Sequence, residues 1–327
     1  MNNINISKKK YDSLKKIELP KDIVSTEAAF YKLNYLGKVK VFKNLYRTSG
    51  PIFANKLFII EMLNAYREIL PHNFILPESL VSVDKEIKGF ILPFANGVNL
   101  EIYLADRNVI IKDKLMAIQK IGNVLEHLNH IRKNSSLDSI YLNDLHASNF
   151  IVDPKTNDIK VVDLDSCKIC DSKPLPARYL NPHCLLNRTP GQNKYDIYRK
   201  NLISNSQYQV SSISKSVEHD KGYYKYANYR DELGYINSNE ESDLYCYTIL
   251  FLNYLYGENI NRFSLEQFYD YICYLEKIGF NQKLLEAMIK IVTNVPNENI
   301  GSYLNMVTEE QVVRANKKVY QIAKGRI

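Results

Sequence analysis

Apolar and polar residues alternate in Phe30-Tyr31-Lys32-Leu33 and again in Lys38-Val39-Lys40-Val41-Phe42-Lys43. A period of two, with β-branched and aromatic side chains, predicts two strands, and Asn34 to Gly37 reads as the turn between them. After Ser49-Gly50-Pro51, the residues Leu57, Ile60, Glu61, Asn64 and Glu68 fall at helical spacing, which predicts a helix from about Ile52. Leu80 to Val83 and Ile87 to Pro93 predict two more strands. Residues 23–95 therefore read as a small antiparallel sheet with one helix.

Beyond Ala95-Asn96-Gly97 the period changes. Leu115, Ile118, Gly122, Leu125 and Leu128 form one helical stripe. Ile140 to Asp144, Phe150 to Val152 and Ile159 to Val162 predict a strand unit inside a mainly helical region. Leu244 to Tyr256 is the longest apolar stretch; Asn253 interrupts it and it is too short to cross a bilayer, so it reads as a helix buried in a large core. Segments 264–277, 282–293 and 308–324 return to helical patterns. An Asn-, Ser-, Lys- and Tyr-rich stretch, about 184–241, is expected to be an insertion.

At 327 residues the chain is long enough for two lobes, and 45% hydrophobic residues are ordinary for a globular protein. A net charge of +7 suits an anionic ligand such as a nucleotide. No nucleic-acid-binding motif accompanies it, so nucleic acid is not an expected partner. The basic residues 1–22 lead into no apolar run of signal length, and five cysteines are an odd and sparse set, which favours a reducing, cytoplasmic location. Cys167 and Cys170 read as buried strand residues.

The chemistry concentrates in Y-L-N-D-L-H-A-S-N-F-I-V-D, residues 141–153, and I-K-V-V-D-L-D, residues 159–165. This pattern resembles the catalytic loop and metal motif of protein kinases and their phosphotransferase relatives, D-x-x-x-x-N followed by a strand and D-F-G. The resemblance implies Asp144 as the catalytic aspartate, with Asn149 and Asp163 as ligands of Mg²⁺ (or Mn²⁺) carrying ATP. Lys43, ending a V-x-V-F-K strand, would contact the phosphates and pair with Glu61; Lys40 and Glu68 are the rival choices. Residues 89–97 resemble the strand and hinge that hold adenine, implying Leu92 as gatekeeper, with Phe94 and Ile151 beside the nucleotide. S-D-L-Y-C-Y-T-I-L-F-L-N-Y-L-Y-G, residues 242–257, resembles the central helix of protein-kinase large lobes, where Asp243 would bond the backbone of the catalytic loop. The implied fold is α+β and two-lobed, with a small lobe at 23–95, a large helical lobe at 96–307 and a C-terminal helix at 308–327.

Departures from the pattern matter. Ile23, Ser25 and Ala28 stand where phosphate-loop glycines are usual, leaving only the amides of Ser25 to Ala28 to cover ATP. Asn143 replaces the arginine that would clamp a phosphorylated activation segment, although Ser166, Ser172 and Tyr179 offer hydroxyls. His146 is typical of aminoglycoside- and choline-kinase-like enzymes and points to a small-molecule acceptor. Asp165 replaces the glycine after the metal aspartate; of its two readings, approach to the metal or a cap on the following turn, the cap is the favoured one. The first expectation is a divergent protein Ser/Thr kinase with an unidentified hydroxyl acceptor; the alternatives are a small-molecule kinase and a nucleotide-binding pseudokinase.

Overall fold

The structure, a computed structural model, describes residues 1–18, 27–171, 240–260, 263–293 and 299–325. Ser25 and most of the expected insertion, with the stretch from Ser172, lie outside the described residues.

Chain order begins with β1 (Asn2–Ile6), α1 (Lys8–Asp12), β2 (Lys15–Lys16), β3 (Ala28–Tyr35), β4 (Lys38–Leu45), α2 (Gly50–Ala65), β5 (Ser79–Val83) and β6 (Glu86–Pro93). These strands form one six-stranded sheet in the order β1-β5-β6-β4-β3-β2, antiparallel except where β1 lies parallel to β5. The β3–β4 hairpin turns through Leu36 and Gly37 (φ 51° and 73°), and the β5–β6 hairpin through Asp84 and Lys85 (φ 51° and 69°). Two residues with positive φ match the right-handed twist of the flanking strands. Where the sequence suggests only a basic extension, residues 2–16 supply both edges of the sheet. They are held there by apolar contact: Ile6 is buried, and Tyr11 packs edge-on against Phe42 with ring centroids 6.3 Å apart.

The sheet separates two apolar clusters. Phe42, Leu33, Val81 and Ile91 face the N-terminal segment, whereas Leu45, Leu80, Phe90 and Leu92 face α2 and the main core. Lys43 alternates with Phe42 and so lies on the α2 side. Helix α2 starts two residues before the expected Ile52 and ends before Glu68.

The rest is mainly helical: β7 (Val98–Asn99), α3 (Leu100–Ala105), α4 (Ile111–Asn134), β8 (Leu137–Tyr141), β9 (Phe150–Val152), β10 (Ile159–Val161), β11 (Lys168–Asp171), α5 (Glu240–Tyr256), α6 (Leu265–Lys277), α7 (Gln282–Val292), α8 (Glu309–Ala315) and α9 (Lys317–Ala323). The apolar stripe of α4 is buried as its period requires. The C-terminal segment expected as one helix is two, because Asn316 ends α8 in extended backbone and its side chain caps α9. Tyrosine fills much of the helical core. Tyr256, Tyr271, Tyr274 and Tyr320 meet at centroid distances of 5.1–6.5 Å, and the Tyr271 and Tyr274 hydroxyls donate to the Ala315 (2.8 Å) and Arg314 (2.7 Å) carbonyls, so those two rings bury area without stranding their polar ends. Among the described residues no helix is long and apolar enough to cross a membrane.

Candidate active site

Residues 142–149 join β8 to β9 and carry the predicted catalytic motif. The loop is pinned from below by Asp243, in the first turn of α5. Its two carboxylate oxygens accept the backbone N–H groups of Leu142 (2.8 Å) and Asn143 (3.0 Å). Asp243 is 4% exposed, and charge-assisted bonds of this kind are the strong ones. This is the contact that the family resemblance implies for Asp243. Asn143 takes left-handed backbone (φ 62°), which asparagine tolerates better than most residues, and its amide donates to the Ser166 carbonyl at 3.0 Å. The asparagine thus ties the loop to the segment after Asp163. Ser166 itself is buried, so its hydroxyl is a poor target for modification.

The amide nitrogen of Asn149 donates to the Asp144 carbonyl (2.8 Å) and carboxylate (3.3 Å), which leaves the amide oxygen as the end that can ligate a metal. The Val162 N–H donates to the Asn149 carbonyl at 3.0 Å, so the loop and the end of β10 are directly joined. His146 Nε2 lies 3.5 Å from the Asp144 carboxylate. Burial alone would lower the His146 pKa, but the Asp144 carboxylate, with Asp163 and Glu101 further off, outweighs it and raises the value above that of an ordinary histidine.

At the end of β10 the chain turns sharply. Asp163 adopts φ 62° and ψ 40°, a conformation non-glycine residues take at a cost, and a short 3-10 turn follows over Leu164–Ser166. The turn aims both Asp163 and Asp165 at the sheet. The Lys43 ammonium is ion-paired with Asp163 and lies 2.6 Å from Asp165 Oδ1. The other Asp165 oxygen lies 2.8 Å from the ammonium of Lys56 on α2, which also meets Glu27 at 2.8 Å. Asp165 is 1% exposed, whereas a third of the Asp163 side chain (34%) is open. Only Asp163 of the two is therefore reachable by a ligand. Asp165 is not the expected turn cap; it is the carboxylate on which two buried lysines converge.

Burial disfavours charge on every member of this cluster, and the pairings decide what survives. Asp163 and Asp165 overcome the desolvation of Lys43 and raise its pKa, and Asp165 does the same for Lys56. Against its own burial, Asp165 is held well below the usual carboxylate range by Lys43 and Lys56. Asp163 is pushed up, by burial and by the neighbouring Asp165 charge, against the pull of Lys43. Removing one partner from such a cluster costs about 3–5 kcal/mol, because the other charge stays buried.

The remaining predicted residues separate. Lys43 takes Asp163 and Asp165 as its partners, and the expected pairing with Glu61 is not made; the charge that α2 brings to this place is Lys56. Lys40 points to the other face and pairs with Glu78 at 2.6 Å. Ala28 opens β3 opposite Leu45 with its methyl in the core, so it is a strand residue and not part of a covering loop. Leu92 is buried on β6 opposite Val41, Phe94 just beyond is exposed, and Ile151 lies on β9 opposite Asn99. Gly89 lets β6 pass close to the lysine strand: a Cβ there would sit 1.9 Å from the Lys43 carbonyl oxygen. Lys56 went unassigned in the sequence, although a signal exists. Within Gly50–Ala65 only Lys56 and Glu61 are charged among apolar residues on all sides, and a helix of that kind is buried, so its lysine must find a counter-ion.

A cavity of about 610 Å³ opens beside the 142–149 loop. It is lined by His146, Ala147 and Ser148 together with Glu101 of α3 and Tyr254 of α5, and by Glu258. It touches the loop but not Lys43 or Asp163. Glu101 and Glu258 do not face it as bare charges, since the Ser148 hydroxyl donates to Glu101 at 2.6 Å and Lys317 pairs with Glu258 at 2.6 Å.

Among the described residues no group of three or more His, Cys, Asp and Glu side chains could hold a metal ion. The Asn149 amide oxygen and the Asp163 carboxylate still fit Mg²⁺ chemically, because that ion takes hard oxygen donors and commonly uses one or two protein ligands with phosphates and waters completing its shell. No protein-family model matches the chain, and no curated protein matches it either.

Proposed function

We propose that this chain is an ATP-dependent phosphotransferase on a two-lobed, protein-kinase-like fold, most simply a protein Ser/Thr kinase. The observation that carries the reading is the ion pair between Lys43 and Asp163, which lie 120 positions apart and belong to separate motifs. Assigned separately as phosphate lysine and metal carboxylate, they occupy one site. Asp144, fixed through the Asp243-bound loop, would orient the acceptor hydroxyl; Asn149 and Asp163 would hold Mg²⁺. The metal, when bound, supplies charge neutralisation at the phosphates.

A small-molecule acceptor is the second reading, favoured by the cavity that reaches His146. One experiment tests both. The purified chain is incubated with γ-labelled ATP and Mg²⁺ or Mn²⁺, with and without cell lysate, and protein-bound label is separated from labelled small molecules. Label on protein supports the first reading and label on a small molecule the second. Nucleotide binding without transfer of label to any acceptor leaves a pseudokinase module.

A further inference from the structure

The carboxylate of Asp165 divides its two oxygens between two lysines from different elements, Oδ1 to Lys43 of β4 and Oδ2 to Lys56 of α2. All three side chains are 5% exposed or less. A carboxylate so deep needs a cation at all times. If Lys43 is to reach the phosphates of a nucleotide, it must give up at least part of its hold on Asp163 and Asp165. A metal ion would compensate Asp163. For Asp165, closed to solvent, the compensating charge present is Lys56.

We infer that Lys56 is a positioning residue: it holds the Asp165 carboxylate so that Lys43 can leave it for the phosphates. The inference rests on the phosphotransferase reading and adds a residue to that site. Lys56 suits the part. It also meets Glu27, at the foot of β3, and α2 packs against the 164–166 turn, so its ammonium is held from two directions. Without Lys56, the buried Asp165 would depend on Lys43 alone, and binding a nucleotide would mean pulling Lys43 from its last buried partner. Lys56 as a mere anchor of α2 leads to a different outcome. An anchor lost at one end is no better when lost at both, whereas a counter-ion becomes dispensable once the charge it balances is removed.

The test measures binding of a non-hydrolysable ATP analogue with Mg²⁺ to the full chain by calorimetry, with thermal melts to verify folding. The wild type is expected to bind. Lys56→Met should weaken binding about tenfold or more, Lys56→Arg should stay within about threefold, and Lys56→Met combined with Asp165→Leu should regain most of the loss. Asp165→Asn alone, which frees Lys43 and keeps the shape, should bind at least as tightly as wild type. Lys56→Met binding like wild type overturns the inference, and so does a double variant as weak as the single one. If Lys56→Met fails to fold, Asp165→Asn decides: a loss of about tenfold or more there would make Asp165 a ligand-binding group and end the counter-ion role. A wild type that binds no nucleotide overturns the phosphotransferase reading together with this one, whereas a binding wild type with unaffected variants overturns this one alone.

Discussion

Asp144 and Asp163 are both carboxylates of the candidate site, but they are held by different means. Around Asp144 the chain uses the Asn149 amide, the His146 imidazole at 3.5 Å, and a loop backbone whose Leu142 and Asn143 N–H groups bond Asp243. Around Asp163 it uses buried ammonium groups from β4 and α2 that share a second carboxylate. A loop held mainly through its own backbone keeps its shape when charge arrives beside it, which suits the hydroxyl-orienting role proposed for Asp144. A cluster of buried full charges balances only as a set. Under the proposed function, a metal ion and phosphates would redistribute its pairings, with Lys43, bonded to both carboxylates, at the point of exchange.

The comparison breaks most visibly by removing each carboxylate in turn. Asp144→Ala and Asp163→Asn should each lower phosphoryl transfer by roughly two to four orders of magnitude. They should differ in nucleotide binding. Asp144→Ala is expected to bind Mg²⁺ and ATP nearly as wild type does, because Lys43, Asn149 and Asp163 remain. Asp163→Asn is expected to lose the metal-dependent part of binding. Calorimetry with and without Mg²⁺, beside the labelled-ATP assay, separates the two; equal binding losses would mean that the two carboxylates are not divided in this way.

Next in size is the lysine. Lys43→Met should reduce kcat/KM by roughly a hundredfold, the cost typical of removing one preorganised charge partner of a transition state. Lys40→Met, on the far face with Glu78, breaks a partly exposed pair worth no more than about 1 kcal/mol and should leave activity near wild type. Activity lost through Lys40 and kept without Lys43 would invert the assignment of the two faces of β4.

On the loop side, Asp243→Ala leaves two buried N–H groups without their acceptor, at about 1–3 kcal/mol each. Asp243→Asn keeps one acceptor oxygen and should lose about half as much. Denaturant melts of both variants measure this. If stability hardly changes in Asp243→Ala, the loop is not supported from α5.

How much of this was legible follows from how far apart the residues lie. Asp144, His146 and Asn149 fall within one loop, and their spacing alone marks them. The strands β3 to β6 and the stripe of α4 were readable because periods of 2 and 3.6 are local properties. The Lys43–Asp165–Lys56 cluster draws on three separate elements, and no spacing encodes it. Lys56 was hidden by the ordinary expectation that a helical lysine is solvated, although the apolar surroundings of α2 contradict that expectation. Residues 2–16 lie within the basic extension that the sequence marks, and their five lysines mask a short strand in which Ile4 and Ile6 alternate with Asn3 and Asn5 and pair along β5. Glu61 follows from analogy of position alone, and such an analogy does not encode that Lys43 pairs with Asp163 and Asp165.

The smallest expected effect belongs to His146, and it tests whether the loop carries a positive charge of its own. Asp144 raises the His146 pKa against the effect of burial, so the folded protein holds this proton to higher pH than the unfolded chain. A group shifted in that sense stabilises the fold fully below its unfolded pKa, about 6.5, and the contribution disappears as pH rises through the raised folded value. His146→Gln should therefore lower the melting temperature most at pH below about 6.5 and progressively less as the pH rises beyond it. The effect is small, because 40% of the His146 side chain is exposed and solvent screens its pair with Asp144. Comparing variant and wild type at each pH cancels the titration of groups that do not interact with His146. A difference that grows toward alkaline pH would mean that the imidazole is held neutral. The loop would then place a hydrogen-bond acceptor, and not a cation, beside Asp144.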